Sequence, residues 1–259
     1  LAPFLAQMDA RDPDAVAHTI DGATSRIWRV SPDPRVSAFL GDKRLYIADG
    51  HHRFKTAGHY RDRMREREQS TDLRPYDYVL MGFVPFDDAG LLICPPHRLV
   101  RRPDALSLDD LLEKLSPWFE MDPVAGDLAH AVESGEGCRI GMAAADGRQC
   151  LLRLRSGDRA RFLGDDHSEA WRALDVAVLH RGILENIMGF SESAQHAYEH
   201  DSVKAIEAVA NGKADLAFIL PPMHPSQVQA CAEASDPMPQ KSTYFFPKLP
   251  TGAVIHRLI

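Results

Sequence analysis

The chain has 259 residues, of which 44% are hydrophobic and 26% are charged, and these proportions exclude the disordered, collagen-like and coiled-coil classes. With 30 Lys and Arg against 37 Asp and Glu, the net charge is −7, which argues against nucleic-acid binding. The four cysteines lie far apart without a CxxC pair, which favours a reducing, cytoplasmic location. No apolar run reaches the roughly 20 residues that cross a bilayer, so we expect no membrane contact.

The hydrophobic spacing of the first part predicts helices and strands in alternation. We expect a helix over residues 4–20, strands over 26–30 and 43–48, and a helix from His51 to about Gln69. Strands over 76–83 and 91–94 should pair as a hairpin across the DDAG turn at 87–90.

The rest of the chain predicts more helices with hairpins among them. We expect two short helices within 107–134, a hairpin of strands 138–144 and 149–155, a helix over 168–188, a helix over 201–211 that ends at Gly212, a strand over 214–220, a helix after the Pro-rich loop at 221, and last strands over 242–246 and 252–258. This order predicts an α+β fold in which several helices pack on a mixed sheet.

The segment Ala48-Asp-Gly-His-His-Arg carries the most chemical information. Gly50 precedes a helix whose first turn holds His51, His52 and Arg53, with no acidic residue until Asp62. Helix starts prefer acidic residues, so each cation costs about 0.3–1 kcal/mol unless an anion offsets it. Free amides, a glycine and basic donors together favour a phosphate site, although the same side chains would also suit a solvated turn.

The neighbouring Asp49 has three candidate roles. It can cap the helix, bind Mg²⁺ or orient His52, and capping is the ordinary role of an aspartate before a helix.

Two further segments carry candidate phosphate ligands. His97 and Arg98 follow two prolines, which fix the backbone and can direct both side chains into a cleft. Lys241, Ser242 and Thr243 combine a cation with hydroxyl groups between a loop and an aromatic strand. Both segments also fit ordinary surface turns, and the local sequence does not decide between the two interpretations.

Five segments in order resemble the bacterial and archaeal family catalogued as domain of unknown function 1015. They are ADGHHR at 48–53, DDAG to PPHR at 87–98, WRALDVAVLH at 171–180, ADLAFILPP at 214–222 and MPQKSTYFFPKLPTG at 238–252. The likeness runs from about residue 26 to the C-terminus. Because family members carry a preceding segment with a Pro-Tyr-Asp-Val-like sequence, the resemblance implies that an N-terminal part of the family lies outside this sequence.

The strand–DGHHR–helix element is also similar to the phosphate-binding element of ParB-like and sulfiredoxin-like proteins. Some of these bind or hydrolyse nucleotides, and one branch phosphorylates free serine. The likeness implies that Gly50, His51, His52 and Arg53 hold phosphates and that Asp49 orients the turn or Mg²⁺. If the chain transfers a phosphoryl group, we expect His52 and Arg53 to stabilise the transferring group. No carboxylate in this sequence matches the catalytic acid of those kinases.

Together these features predict a cytoplasmic phosphotransferase for a small metabolite such as free serine, with a nucleotide or pyrophosphate as donor and Mg²⁺ as cofactor. A non-catalytic module that binds a nucleotide or phosphometabolite is the alternative, and a ParB-like DNA-binding protein is disfavoured by the net charge. We expect residues 1–100 to form a partial phosphate-binding α/β region and residues 101–259 to form an α/β region that packs on it. The sequence does not indicate an oligomeric state.

Overall fold

The computed structural model of the protein describes residues 6–258, apart from residues 7, 9, 20, 21, 156, 158, 192, 193 and 195. The chain divides into a first unit, Leu1–Leu91 with Pro247–Ile259, and a second unit, Leu92–Phe246. These bounds differ from the division at residue 100 that the sequence suggested, since the last segment belongs with the first unit.

The first unit contains a small sheet, two helices and little buried apolar surface. Its elements are strands β1 (Ala15–His18) and β2 (Thr24–Ile27), helices α1 (Pro34–Gly41) and α2 (His51–Glu68), and a 3₁₀ turn at Pro75–Asp77. β1 and β2 pair antiparallel, with Val16 opposite Arg26. Tyr76 is the only fully buried hydrophobic side chain among the described residues of this unit, and its hydroxyl donates to Glu68 Oε2 at 2.9 Å.

The second unit is built on an antiparallel sheet. Its strands are β3 (Leu92–Cys94), β4 (His97–Val100), β5 (Phe119–Pro123), β6 (Arg139–Ala144), β7 (Gln149–Leu154), β8 (Ala197–Glu199), β9 (Leu216–Ile219) and β10 (Tyr244–Phe246). Six of these form one sheet in the order β5-β7-β6-β9-β4-β8, and β3 pairs separately with β10. Every one of these pairings is antiparallel.

The helices of the second unit pack their apolar faces into the core. They are α3 (Leu108–Leu115), α4 (Leu128–Glu133), α5 (Arg159–Leu163), α6 (Glu169–Arg172), α7 (Asp175–Ala177), a π-helix (Val178–Ile187), α8 (Ser202–Ala210) and α9 (Pro225–Glu233). The core contains fully buried side chains from the sheet and from the helices, among them Phe119, Leu152, Leu179 and Phe218. The α+β fold class is therefore confirmed.

Three sequence predictions hold because the signals are local. The β6–β7 hairpin turns at Gly147, whose φ of 89° suits glycine. Asp201 caps helix α8, because its side chain accepts from the Val203 amide at 3.0 Å, and Gly212 follows the end of the helix with φ 71°. Helix α2 spans nearly the whole predicted range, His51–Glu68.

Several other predictions were wrong. The helix expected over 4–20 is replaced at Ala15–His18 by β1, because pairing with β2 outweighs local helical spacing. Residues 43–48, 76–83 and 252–258 form no strand. β3 pairs with β10 instead of forming a hairpin with the segment before it. The edge strands β5 and β8 were missed, since short strands leave little alternation to detect.

The long helix predicted over 168–188 is broken into three parts. α6 ends at Arg172, α7 starts after Leu174, and the chain then widens into the π-helix. In the wide turns the Met188 amide donates to the Ile183 carbonyl at 2.9 Å, five residues back. A Cβ at Gly182 would lie 2.0 Å from the Phe162 ring, so this glycine lets the ring pack against the helix backbone.

Candidate functional site

The start of α2 has the features that the sequence predicted for an anion site. Gly50 lies in the left-handed region, with φ 84° and ψ 23°, and no side chain caps the helix that follows it. The first turn contains no acidic residue, and His51, His52 and Arg53 are exposed. Because helix starts leave backbone N–H groups without intrahelical acceptors, this turn offers donors and a partial positive charge to an anion.

The absence of a side chain at Gly50 also makes room for Arg53. A Cβ at this position would lie 3.1 Å from Nη2 and 3.2 Å from Nε of Arg53. The guanidinium thus folds back beside the turn while its side chain stays 76% exposed.

Asp49 binds cations beside this turn and does not cap the helix. Its Oδ1 accepts from the Gly50 amide at 2.8 Å, and its Oδ2 accepts from Lys248 Nζ at 3.1 Å. The Arg53 guanidinium lies 3.6 Å from the same oxygen. Burial alone would raise the pKa of Asp49, but the hydrogen bond and charge of Lys248, the Gly50 amide and Arg53 outweigh it and lower the pKa. Asp49 is therefore an ionised carboxylate with two cationic neighbours.

Lys248 is a residue of this site that sequence reasoning missed. It lies within the MPQKSTYFFPKLPTG segment, 199 residues from Asp49 along the chain. The segment from Pro247 belongs to the first unit, which explains how this lysine comes to lie beside α2. A local motif gives no sign of such a long-range neighbour.

The Arg98 side chain is fully buried in the second unit and is engaged by the protein itself. Its Nε donates to His180 Nε2 at 3.1 Å, its Nη2 donates to the Lys241 carbonyl at 3.1 Å, and its Nη1 donates to the Pro96 carbonyl. The guanidinium carbon lies 4.5 Å from the centre of the Tyr198 ring. Burial lowers the pKa of Arg98 to about 10, so it stays charged. These contacts hold backbone segments together and leave the guanidinium enclosed.

Two other residues proposed from the second unit, His97 and Ser242, also bond to the backbone. His97 is buried, and its Nδ1 accepts from the Leu220 amide at 3.2 Å. Burial lowers the pKa of His97 to about 4, so the ring is neutral near pH 7. The Ser242 hydroxyl is buried and donates to the Pro239 carbonyl at 2.5 Å. Lys241 is exposed with φ 55°, and Thr243 is partly buried.

Within the described part of the chain, no group of three or more His, Cys, Asp or Glu side chains is placed to hold a metal ion. A role for Mg²⁺ therefore stays a prediction. None of the described helices combines the length and apolar character needed to cross a membrane.

The sequence model of the family described as "Protein of unknown function (DUF1015)" matches residues 1–177. The chain belongs to this family. The match includes the start of α2 and His97 with Arg98, whereas the similar segments at 214–222 and 238–252 lie beyond it. The local likeness of the DGHHR element to ParB-like proteins stays a prediction.

Several solved structures are also similar to this chain, all at low sequence identity. A conserved hypothetical protein from Pyrococcus furiosus is 14% identical with a TM-score of 0.40, covering 77% of this chain and 68% of that one. Free serine kinase in complex with AMP, and a mutant of it in complex with ADP, are each 14% identical with a TM-score of 0.42, covering 77% of this chain and 66% of theirs. No curated protein matches the sequence. At this similarity, function has to be inferred from the chain's own residues.

Proposed function

We propose that the chain is a phosphotransferase that holds the phosphate groups of its donor at the start of α2 and passes a phosphoryl group to a small metabolite. The observation that supports this is the uncapped helix start after the left-handed Gly50, with basic side chains in its first turn. A helix start of this kind is stabilised when an anion occupies it.

The charges around the turn favour an anion. Arg53 and Lys248 are two cations beside the carboxylate of Asp49, at 3.6 and 3.1 Å from its Oδ2. His51 and His52 add exposed ring nitrogens on the same turn. In the proposed site the backbone amides and His51 bind the phosphate oxygens, whereas His52 and Arg53 stabilise the transferring group.

Asp49 has a positioning role in this proposal. Its carboxylate holds Lys248 and Arg53 near the turn, so that both cations are in place before the donor binds. Phosphoryl transfer depends mainly on positioning and on neutralising negative charge, and these are the properties that this turn supplies.

The donor class is a nucleotide or pyrophosphate, with Mg²⁺ as the expected companion of its phosphates. Free serine is the first acceptor to test, because of the local likeness of the DGHHR element to phosphate-binding proteins. A regulatory module that binds the same phosphates without turnover would use the same contacts, so the experiment has to measure turnover and binding separately.

The turnover test incubates the purified chain with Mg²⁺, free serine and either ATP, ADP or pyrophosphate, and follows new phosphate esters by ³¹P NMR. We expect Arg53→Ala to slow transfer by about 100-fold, the usual loss when a donor to the transferring group is removed. Arg63→Ala is the matched control, because Arg63 is exposed on the same helix beyond its first turn. Equal turnover in wild type and Arg53→Ala would reject the proposed role.

The binding test records thermal unfolding with phosphate, pyrophosphate, ATP, ADP, CTP and phosphoserine, each with and without Mg²⁺. A ligand at 100 times its dissociation constant should stabilise the folded chain by about 2.7 kcal/mol. Stabilisation that Arg53→Ala abolishes, together with no turnover over hours, would identify a regulatory binding module instead of an enzyme.

A further inference from the structure

Both carboxylate oxygens of Asp49 are engaged by groups of the protein. Oδ1 accepts from the Gly50 amide at 2.8 Å, and Oδ2 accepts from Lys248 Nζ at 3.1 Å, with the Arg53 guanidinium 3.6 Å from the same oxygen. Among the described residues, the charged side chains that act on the pKa of Asp49 are these two cations, and both lower it. The carboxylate is therefore ionised and already has cationic neighbours.

A Mg²⁺ ion does not fit at this carboxylate. In phosphate-binding sites Mg²⁺ is held by one or two carboxylates together with phosphate oxygens, in near-ideal octahedral geometry. On Oδ2 of Asp49 the ion would meet the like charges of Lys248 and Arg53, and on Oδ1 it would compete with the Gly50 amide. The described residues also form no cluster of three or more His, Cys, Asp or Glu side chains that could hold a metal ion elsewhere. The arrangement thus disagrees with the role in orienting Mg²⁺ that the likeness to ParB-like proteins implied.

Lys248 supplies a positive charge at the oxygen that a metal ion would use. Its ammonium contacts Asp49 Oδ2, and its side chain is 35% exposed, so the charge is accessible to a ligand. The lysine belongs to the segment Pro247–Ile259, which forms one unit with α2. The next residue, Leu249, packs so close to Gly82 that a Cβ there would lie 2.5 Å from Leu249 Cδ1. This packing and the ion pair with Asp49 together hold Lys248 beside the start of α2.

We propose that Lys248 takes the place of a divalent cation at this site, so that the start of α2 binds a metal-free polyphosphate such as pyrophosphate. The inference rests on the proposed phosphate site and adds the form of the donor that the site accepts. Lys248, Arg53 and the partial positive charge of the helix start neutralise the polyanion together. Any Mg²⁺ in the transfer step then arrives with the donor and is not held by Asp49.

The test measures the dissociation constant of pyrophosphate by isothermal titration calorimetry, once with EDTA and once with excess Mg²⁺. We expect the wild-type chain to bind in EDTA. Mg²⁺ should leave the affinity unchanged or lower it, because the ion removes negative charge from the ligand. Lys248→Met should weaken binding in EDTA by about tenfold or more, since it removes a charged contact. Lys248→Arg keeps the positive charge and should stay within about threefold of the wild type.

The response of Lys248→Met to Mg²⁺ separates replacement of a metal from a merely structural role. In this variant Asp49 has lost the closer of its two cations, so Mg²⁺ should tighten pyrophosphate binding by about threefold or more. Adding Asp49→Asn to Lys248→Met should abolish that effect of Mg²⁺. Lys43→Met is the matched control and should bind like the wild type, because Lys43 is exposed in the same unit and its ammonium lies 5.3 Å from the centre of the Phe39 ring.

Four results would overturn this inference and leave the phosphate site in place. They are equal affinity of the wild type and Lys248→Met in EDTA, equal losses in Lys248→Met and Lys248→Arg, tighter binding to the wild type when Mg²⁺ is added, and no tightening by Mg²⁺ in Lys248→Met. A wild-type chain that binds no pyrophosphate in either condition would instead reject the phosphate site, and this inference with it.

Discussion

Replacing Gly50 by alanine tests the helix start and the phosphate proposal together. An alanine at φ 84° costs about 1–2 kcal/mol, because its Cβ approaches the backbone in the left-handed region. The new Cβ would also lie 3.1 Å from Nη2 of Arg53, so the guanidinium must shift by a few tenths of an ångström from its place beside the turn. Gly22→Ala is a matched control: its φ is 85°, but its Cβ would meet nothing within 4 Å.

Both variants should therefore lose about 1–2 kcal/mol of unfolding free energy in urea denaturation. Only Gly50→Ala should also weaken the binding of pyrophosphate or ADP, by about tenfold, which corresponds to about 1.4 kcal/mol. Gly50→Asn should be more stable than Gly50→Ala, since asparagine tolerates the left-handed region better. Equal ligand affinity in the Gly22 and Gly50 variants would refute the role of this turn.

Two further predictions concern the second unit and helix α2. The pKa of His97 in the folded chain is about 4, below its ordinary 6.5, so protonation of this ring favours unfolding. The free energy of unfolding should therefore be highest above about pH 6.5. It should fall by roughly 3 kcal/mol as the pH falls to about 4. His97→Asn, which keeps an acceptor but does not titrate, should flatten this loss in urea titrations at several pH values, and an unchanged slope would contradict the assignment. Gly182→Ala should destabilise by about 1–3 kcal/mol, because its Cβ would lie 2.0 Å from the Phe162 ring. Gly58→Ala, with open space inside α2, should instead stabilise by about 0.5–1 kcal/mol in the same thermal or urea assay, and a loss at Gly58 equal to that at Gly182 would argue against the steric explanation.

Elements with their own local signals were predictable from the sequence. The Asp146-Gly147 turn specifies the β6–β7 hairpin, because glycine adopts the φ of 89° that the turn requires. The basic, glycine-preceded start of α2 was likewise visible in six consecutive residues. In both cases the chemistry that defines the element lies within a few positions of the chain.

Elements that depend on distant partners were not predictable. Residues 43–48 carry an apolar run that resembles a strand, but a strand also needs a neighbour, and the sequence does not reveal whether one exists. β3 finds its partner in β10, with Phe245 opposite Ile93. Within the π-helix, Gly182 leaves room for the Phe162 ring of another helix, and helical periodicity does not reveal that contact.

The candidate site likewise has one part that the sequence predicts and another that depends on distant residues. The first turn of α2 could be predicted, whereas Lys248 beside Asp49 could not, because 199 residues separate them. The sequence proposed Arg98 as a phosphate ligand because the two preceding prolines could direct it into a cleft, and that role stays a prediction. The structure adds that the side chain has 0% exposure and donates to backbone carbonyls. A cation in a motif does not reveal whether it faces solvent or the interior.

The sparse interior of the first unit has a consequence for any ligand of α2. Tyr76 alone is fully buried among the described hydrophobic residues there, so little apolar burial holds this unit in its native form. A ligand that binds only the native form adds its own binding free energy to the small free energy of unfolding of this unit. The fraction of chains that hold the ligand and the fraction in which the first unit is folded should therefore rise and fall together. On warming, the apparent affinity should fall for two reasons, because the ligand's own contacts weaken and because fewer chains have the first unit folded.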